Sequence, residues 1–190
     1  MSSKSKSRPA EAERIAAHIK KMLDSSIGRT YNYGIITFYR EQVNEIYKAL
    51  AKVGIFTKDE SGNYVLSRNY LSEENKSRDF IKIGTVDAFQ GMEFDIVYLS
   101  MVRSNNYVLP KDANSSAEGG KTDINKLMQR KYGFLMYENR LCVAMSRQKK
   151  ALICVGDSGM LKGNLAERAI PALTEYYKLC KESDYGKILF

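Results

Sequence analysis

A chain of 190 residues with 44% apolar composition is long enough to bury one substantial core and short for two, so a single domain over residues 10–190 is expected. Aromatic and charged contents of 11% and 27% exclude a disordered or low-complexity polypeptide, and no run of about eighteen apolar residues offers a membrane span. Lys and Arg outnumber Asp and Glu by 30 to 22, a formal charge of +8 that suits a phosphate backbone and equally suits a solvated basic surface.

The opening MSSKSKSRP is basic and Ser-rich without the apolar centre of a signal peptide, so residues 1–9 read as a disordered lead-in or the cut edge of something longer. Helical spacing of Ile15, Ile19, Met22 and Leu23 predicts an amphipathic helix from Ala10 to Asp24, with Glu11 and Glu13 in its first turn. YGIITF, Tyr33 to Phe38, is β-branched and almost wholly apolar, as a strand covered on both faces should be. A helix follows from about Arg40 to Val53, where Val43, Ile46, Tyr47 and Leu50 share a face and Gly54 stands as the stop. Residues 57–79 are polar and turn-rich around Ser61-Gly62-Asn63, which predicts a hairpin-like excursion or surface loop.

Phe80–Val86 and Phe94–Val102 read as two more strands joined by a turn around Gly91, and residues 105–137 as a polar, partly mobile insertion. A helix over Tyr137–Ser146, a buried strand over Ala151–Val155 and a closing helix interrupted or started near Pro171 complete the chain. This alternation predicts an α/β domain with a mostly parallel sheet between helices. Cys142, Cys154 and Cys180 are scattered and odd in number, which fits a reduced intracellular protein, cytoplasmic or nuclear. With His18 as the only histidine, no metal site is expected, and His18 reads as structural.

Three segments carry more polar chemistry than simple connections require. They are Thr37-Phe38-Tyr39-Arg40-Glu41-Gln42, Thr85 to Glu93, and Asn139 to Arg147. In the second, Gly91 permits close backbone approach, and Gln90 and Glu93 can reach ribose hydroxyls or a phosphate-bound water; a turn merely facing solvent explains the spacing as well. In the third, Arg140 and Arg147 are spaced to leave one helical face, suiting phosphate recognition, although spacing alone favours a solvated pair.

The order and wording of these segments resemble motifs IV, V and VI of superfamily 1 helicases of the Upf1-like group. GIITFYREQV resembles that family's GIITPYRxQV, TVDAFQGMEFD its fifth motif, and Arg140 to Arg147 its sixth, with Phe38 standing for the usual Pro and Cys142 for the usual Asn. The similarity runs in motif order over about residues 10–158, with no motif in 55–79 or 105–137. It implies a RecA-like, P-loop NTPase-like domain, the second lobe of a helicase. It further implies that Arg147 is the arginine finger, that Gln90, Gly91, Glu93 and Arg140 border the ATP, and that Thr37, Tyr39, Thr85, Arg103 and Ser104 face single-stranded nucleic acid.

A helicase also needs a GxxxxGK[ST] loop and a strand ending in paired acids. Gly120-Lys121-Thr122 imitates the end of that loop, but Ser115 stands where its first glycine belongs, so Gly119 to Thr122 reads as loop. ATP and Mg²⁺ are therefore expected to be held by an N-terminal RecA-like lobe of the same polypeptide, with no cofactor bound and no turnover by this chain alone. The expected partners are that lobe and single-stranded DNA or RNA, with no membrane. The alternative is a non-catalytic nucleic-acid-binding or protein-docking module derived from a helicase lobe. A self-sufficient enzyme of another class has little support, since there is no GxGxxG fingerprint and no His-based nucleophile.

Overall fold

The computed structural model describes residues 6–71, 80–105 and 118–189, grouped in two compact units: residues up to 102 with 142–156, and residues 103–141 with those from 157 onward. In the first unit, helix α1 (Pro9–Leu23) starts with proline at its first position, where the missing N–H costs nothing and the fixed φ is already helical. The amide of Arg8, just before it, donates to Gln42 Oε1 at 2.7 Å, so the expected lead-in is tied down at its end. Ala12, Ile15, Ala16, Ile19 and Leu23 form the buried face of α1. Strand β1 (Tyr33–Thr37) is buried throughout, and helix α2 (Arg40–Lys52) ends before Gly54, whose φ of +78° is the left-handed conformation that stops helices.

Strands β2 (Phe56–Lys58) and β3 (Tyr64–Leu66) form an antiparallel hairpin in which Tyr64 stacks on Tyr47 of α2. The expected excursion over 57–79 is thus a hairpin, with residues 72–79 lying outside the described part. β4 (Ile81–Thr85) and β5 (Phe94–Ser100) both run parallel to β1, one on each side of it. Continuing into the second unit, helix α3 (Glu118–Tyr132) leads through a 3₁₀ turn, Gly133–Met136, into α4 (Glu138–Met145), which ends in the first unit just before β6 (Gln148–Val155).

The four-stranded sheet, in the order β4-β1-β5-β6, is parallel and flanked by helices, as a RecA-like α/β domain should be. α1 and α2 pack on each other and on the face formed by Tyr33, Ile35, Ile83, Ile96 and Tyr98. His18 of α1 is part of that packing: its Nδ1 lies 2.6 Å from the hydroxyl of buried Tyr98, and burial holds its pKa below the ordinary value. At the β6 edge, exposed Lys149 and Lys150 disfavour pairing with another strand.

The connection from β4 to β5 is short for a parallel crossover, which usually takes about a dozen residues or more. Val86 to Glu93 returns from the carboxyl end of β4 to the amino end of β5, its first half one 3₁₀ turn, Val86–Phe89, which meets β1 on the way. Two glycines make room. A Cβ on Gly34 would stand 2.9 Å from the Phe94 ring and 3.1 Å from that of Phe89, and one on Gly84 would stand 3.2 Å from Ala88 Cβ. Gly34→Ala is therefore expected to destabilise the domain by about 1–3 kcal/mol through overpacking, read as a lower denaturant midpoint at unchanged slope. An unshifted midpoint would show that the crossover is not held tightly to the sheet.

In the second unit, α3 lies within the polar insertion expected over 105–137 and corrects the loop expected over Gly119 to Thr122. Residues 118–132 are helical, including Gly119 to Thr122, while 106–117 lie outside the described part. Ile124, Met128 and Tyr132 recur every fourth residue and are buried. A turn, Ser158–Leu161, precedes α5 (Asn164–Ala169) and α6 (Pro171–Glu182), so Pro171 starts the last helix. Among the described residues no helix is long and apolar enough to cross a membrane, and no three His, Cys, Asp or Glu side chains gather to hold a metal.

Candidate functional site

The polar residues of the first unit lie at two opposite rims of the sheet. Gln90 to Glu93 immediately precede β5 and Arg147 immediately precedes β6, so this group occupies the amino ends of neighbouring parallel strands. Ligand sites in open α/β sheets usually lie beyond the carboxyl ends, and these residues are arranged otherwise. Gly91 has φ +77° with open space around it, so glycine is needed for its backbone conformation rather than to admit a close neighbour. Gln90 and Glu93 are exposed, and Glu93 makes a surface ion pair with Lys149 at 3.6 Å.

Arg147 is held from several sides. Its carbonyl accepts from the Phe94 amide at 2.9 Å, which fixes the backbone to β5. Its guanidinium donates to Val143 O at 3.0 Å, to Met92 O at 3.4 Å and to Ser146 Oγ at 2.8 Å. Those bonds engage three of the five N–H donors of a half-buried side chain that stands beside the peptide linking Gly91 to Glu93. Such a cation is pre-positioned: orienting it towards an anion costs little further entropy. The single helical face expected for Arg140 and Arg147 is not formed, because α4 stops at Met145. Arg140 belongs to the second unit, where its guanidinium lies 5.6 Å from the centre of the Phe134 ring.

At the carboxyl rim Thr37 and Thr85 are paired at the ends of β1 and β4. Thr85 is half-exposed, whereas Thr37 and Tyr39 are buried, and the Thr37 hydroxyl has no hydrogen-bond partner. The expectation that Thr37, Tyr39 and Arg103 meet nucleic acid thus finds all three side chains covered. In the second unit Arg103 donates through Nε to Lys131 O at 2.8 Å and through Nη2 to Arg130 O, and Asn105 Nδ2 reaches the same Lys131 O at 2.9 Å. A cation on the last carbonyls of α3 satisfies groups that a helix end leaves open and complements its dipole. Ser104, by contrast, is exposed and hydrogen-bonded to Asp157, whose other oxygen accepts from the Gly159 amide at 2.9 Å.

Arg103→Ala is accordingly expected to speed amide exchange in the last turn of α3 and to cost about 1–3 kcal/mol, the penalty of stranding carbonyls that had a charged donor. The salt dependence of single-strand binding should not change. A salt slope reduced by about one unit, with α3 unaffected, would instead make Arg103 a phosphate ligand.

The sequence reading gave no role to a third group, buried near the carboxyl end of β5. Glu11 Oε2 accepts from Ser100 Oγ at 2.7 Å and from the Val102 amide at 2.9 Å, and Gln42 Nε2 donates to Ser100 Oγ at 3.0 Å and to Arg8 O at 3.2 Å. Burial pushes the Glu11 carboxyl above its ordinary pKa, opposed by the hydrogen bonds from Val102 and Ser100 and by Arg8 nearby. One signal for it existed: Glu11 lies four residues before Ile15, on the apolar face of α1 rather than its solvent face.

A family model described as an AAA domain matches residues 1–159. Among curated relatives, NFX1-type zinc finger-containing protein 1 of Mus musculus is 42% identical over 96 residues, covering 50% of this chain and 4% of that protein. The Schizosaccharomyces pombe helicase required for RNAi-mediated heterochromatin assembly 1 is 33% identical over 97 residues, covering 50% and 8%. DNA polymerase alpha-associated DNA helicase A of Saccharomyces cerevisiae is 30% identical over 145 residues, covering 72% of this chain and 17% of that protein. The matched stretches are thus a small part of each of these longer relatives. With the parallel sheet and the three motifs in order, these matches establish that the chain belongs to the AAA-domain family, as the C-terminal RecA-like lobe of a superfamily 1 helicase of the Upf1-like group.

Proposed function

We propose that this chain is the lobe that completes the ATP site of an ATP-dependent helicase and grips single-stranded DNA or RNA. The observation that carries the reading is the placement of Arg147, anchored beside the Met92 carbonyl on the same rim as Gly91 and Glu93. A guanidinium held there is suited to meet the γ-phosphate of an ATP whose phosphates and Mg²⁺ are cradled by the N-terminal RecA-like lobe. Gln90 and Glu93, exposed beside it, border the nucleotide and are placed to take hydrogen bonds from ribose hydroxyls or a phosphate-bound water. Arg140 is given no part in this geometry, since it belongs to the second unit, with its guanidinium against Phe134.

The chemistry asked of this lobe is electrostatic. As the bond to the γ-phosphoryl group breaks, its electron pair goes to the leaving β–γ bridging oxygen, and a cation fixed in advance beside the transferring group stabilises that charge without reorganising. Because the cation and the phosphate belong to different lobes, bound ATP favours the closed cleft and hydrolysis removes the bridge, which turns nucleotide state into lobe distance. In the first unit, half-exposed Thr85 is the member of the predicted strand-binding set open to a phosphate backbone, whereas Ser104 of the second unit is exposed but donates its hydroxyl proton to Asp157. Alternate closure and grip then move the protein along one strand, 5′ to 3′ by family resemblance.

The crossover supports this reading, because Thr85 and the Gln90–Glu93 loop are the two ends of one short segment lying on the sheet. The test compares this chain alone with a polypeptide carrying both lobes. The chain alone should not hydrolyse ATP above background, and the two-lobe protein should turn over ATP faster when single strands are added. Equal turnover with and without strands would remove the motor role and leave a binding module.

A further inference from the structure

Val102 is the only non-glycine residue with positive φ among the described residues, at +65°, and it is β-branched, the side-chain type least suited to that conformation. It is buried and lies two residues beyond the end of β5, directly before Arg103 and Ser104. A backbone held in so sparsely populated a region persists only where its surroundings over-determine it. Here the surroundings can be named. The Val102 amide gives its proton to Glu11 Oε2, the preceding Met101 amide donates to Val155 O at 3.1 Å, and Ser100 donates to the same Glu11 oxygen while accepting from Gln42. Glu11 is itself 4% exposed, and a carboxylate is a costly group to bury on the apolar face of a helix unless something needs it there.

We infer that Glu11 is a positioning residue, whose buried carboxylate holds Val102 in the left-handed conformation and so fixes the peptide that ends β5. Gln42, the one buried side chain of the fourth motif's helical part, supports the arrangement from α2 and binds the backbone of Arg8 as well. Three elements distant in sequence thereby fix one peptide: the start of α1, the first turn of α2 and the end of β5. This deepens the proposed motor reading, on which it rests for its functional consequence, because the peptide so held ends the same strand, β5, that the Gln90–Glu93 loop begins. Glu11 touches neither nucleotide nor nucleic acid in this scheme and acts only through Val102.

The experiment uses three variants. Glu11→Leu keeps the volume and removes both acceptors. Glu11→Gln keeps the acceptor for Ser100 and Val102 and gives up the 3.8 Å ion pair of Oε1 with Arg8, whose loss is thereby separated from loss of the acceptor. Val102→Gly in the Glu11→Leu background supplies a residue that takes positive φ freely. In this chain, Glu11→Leu should raise the exchange rate of the Val102 amide by about a hundredfold and Glu11→Gln by less than about tenfold. In the two-lobe protein, Glu11→Leu should lower strand-stimulated kcat by about tenfold with the KM for ATP little changed, and added Val102→Gly should restore kcat to within about threefold of the parent.

A merely structural contribution from Glu11 predicts no such rescue, so a loss that Val102→Gly leaves in place overturns the proposal. So does an unaltered exchange rate in Glu11→Leu. Absence of strand-stimulated turnover in the parent protein would instead remove the motor reading, while the exchange measurement still decides whether Glu11 holds Val102.

Discussion

Arg147→Ala in the two-lobe protein is expected to lower ATP turnover by about 10³-fold or more, while ATP binding changes by less than about tenfold. The asymmetry follows from where the side chain stands. In the proposed motor, binding energy comes mainly from the phosphate-cradling loop and Mg²⁺ site assigned to the other lobe, and Arg147 meets the γ-phosphate only when the lobes close. Arg147→Lys should recover little, because an ammonium cannot keep the bonds to Val143 O, Met92 O and Ser146 Oγ while also presenting a planar fork outward. The check is steady-state turnover alongside binding of a fluorescent ATP analogue. Normal turnover in Arg147→Ala would end the arginine-finger assignment.

The largest effect on stability is expected at Phe89. Its ring is fully buried, lies 5.5 Å from that of Phe94 and fills the space left open by the glycines at 34 and 84. Phe89→Ala removes a large side chain from a packed site whose walls are a sheet and cannot easily collapse, so a loss of about 3–5 kcal/mol is expected. Against a typical total of about 5–15 kcal/mol, that leaves the domain marginal. The same ring is the clamp of the crossover, so the strand binding proposed at Thr85 and the nucleotide response proposed at Gln90–Glu93 should weaken together. Thermal melting reads the first effect, and strand-stimulated turnover below the melting range reads the second. A melting temperature unchanged by Phe89→Ala would show that Phe89 is not a wall of the core.

The strands and principal helices of the first unit were legible because each states its period plainly. YGIITF is a central strand buried on both sides, and α1 and α2 each carry an apolar stripe with a recognisable stop. α3 was hidden by two glycines near its start and a largely polar sequence, although Ile124, Met128 and Tyr132 marked its buried line. The site was legible as residue types in motif order, but its division between two rims was not. That division depends on β4 and β5 flanking β1, a pairing that no local pattern encodes.

Arg103 shows the same limit in another form. A basic residue after a strand at the head of a polar segment reads as a phosphate ligand, and only the path of α3 shows that two carbonyls take its guanidinium. The Glu11 junction was missed for the opposite reason. An acid in a first helical turn reads as a dipole partner, and nothing local says that strand β5 ends against it.

The central claim is that the Arg147 guanidinium serves the transition state of a nucleotide held by another lobe. ADP with aluminium fluoride imitates the planar phosphoryl group in flight, and a residue that acts there should favour it over ADP alone. Affinities for ADP and for ADP with aluminium fluoride, measured on the parent two-lobe protein and on Arg147→Ala, make the comparison. The account predicts a preference for the fluoride complex of about a hundredfold or more in the parent, nearly lost in Arg147→Ala while ADP affinity is retained. The same preference in both proteins would contradict it.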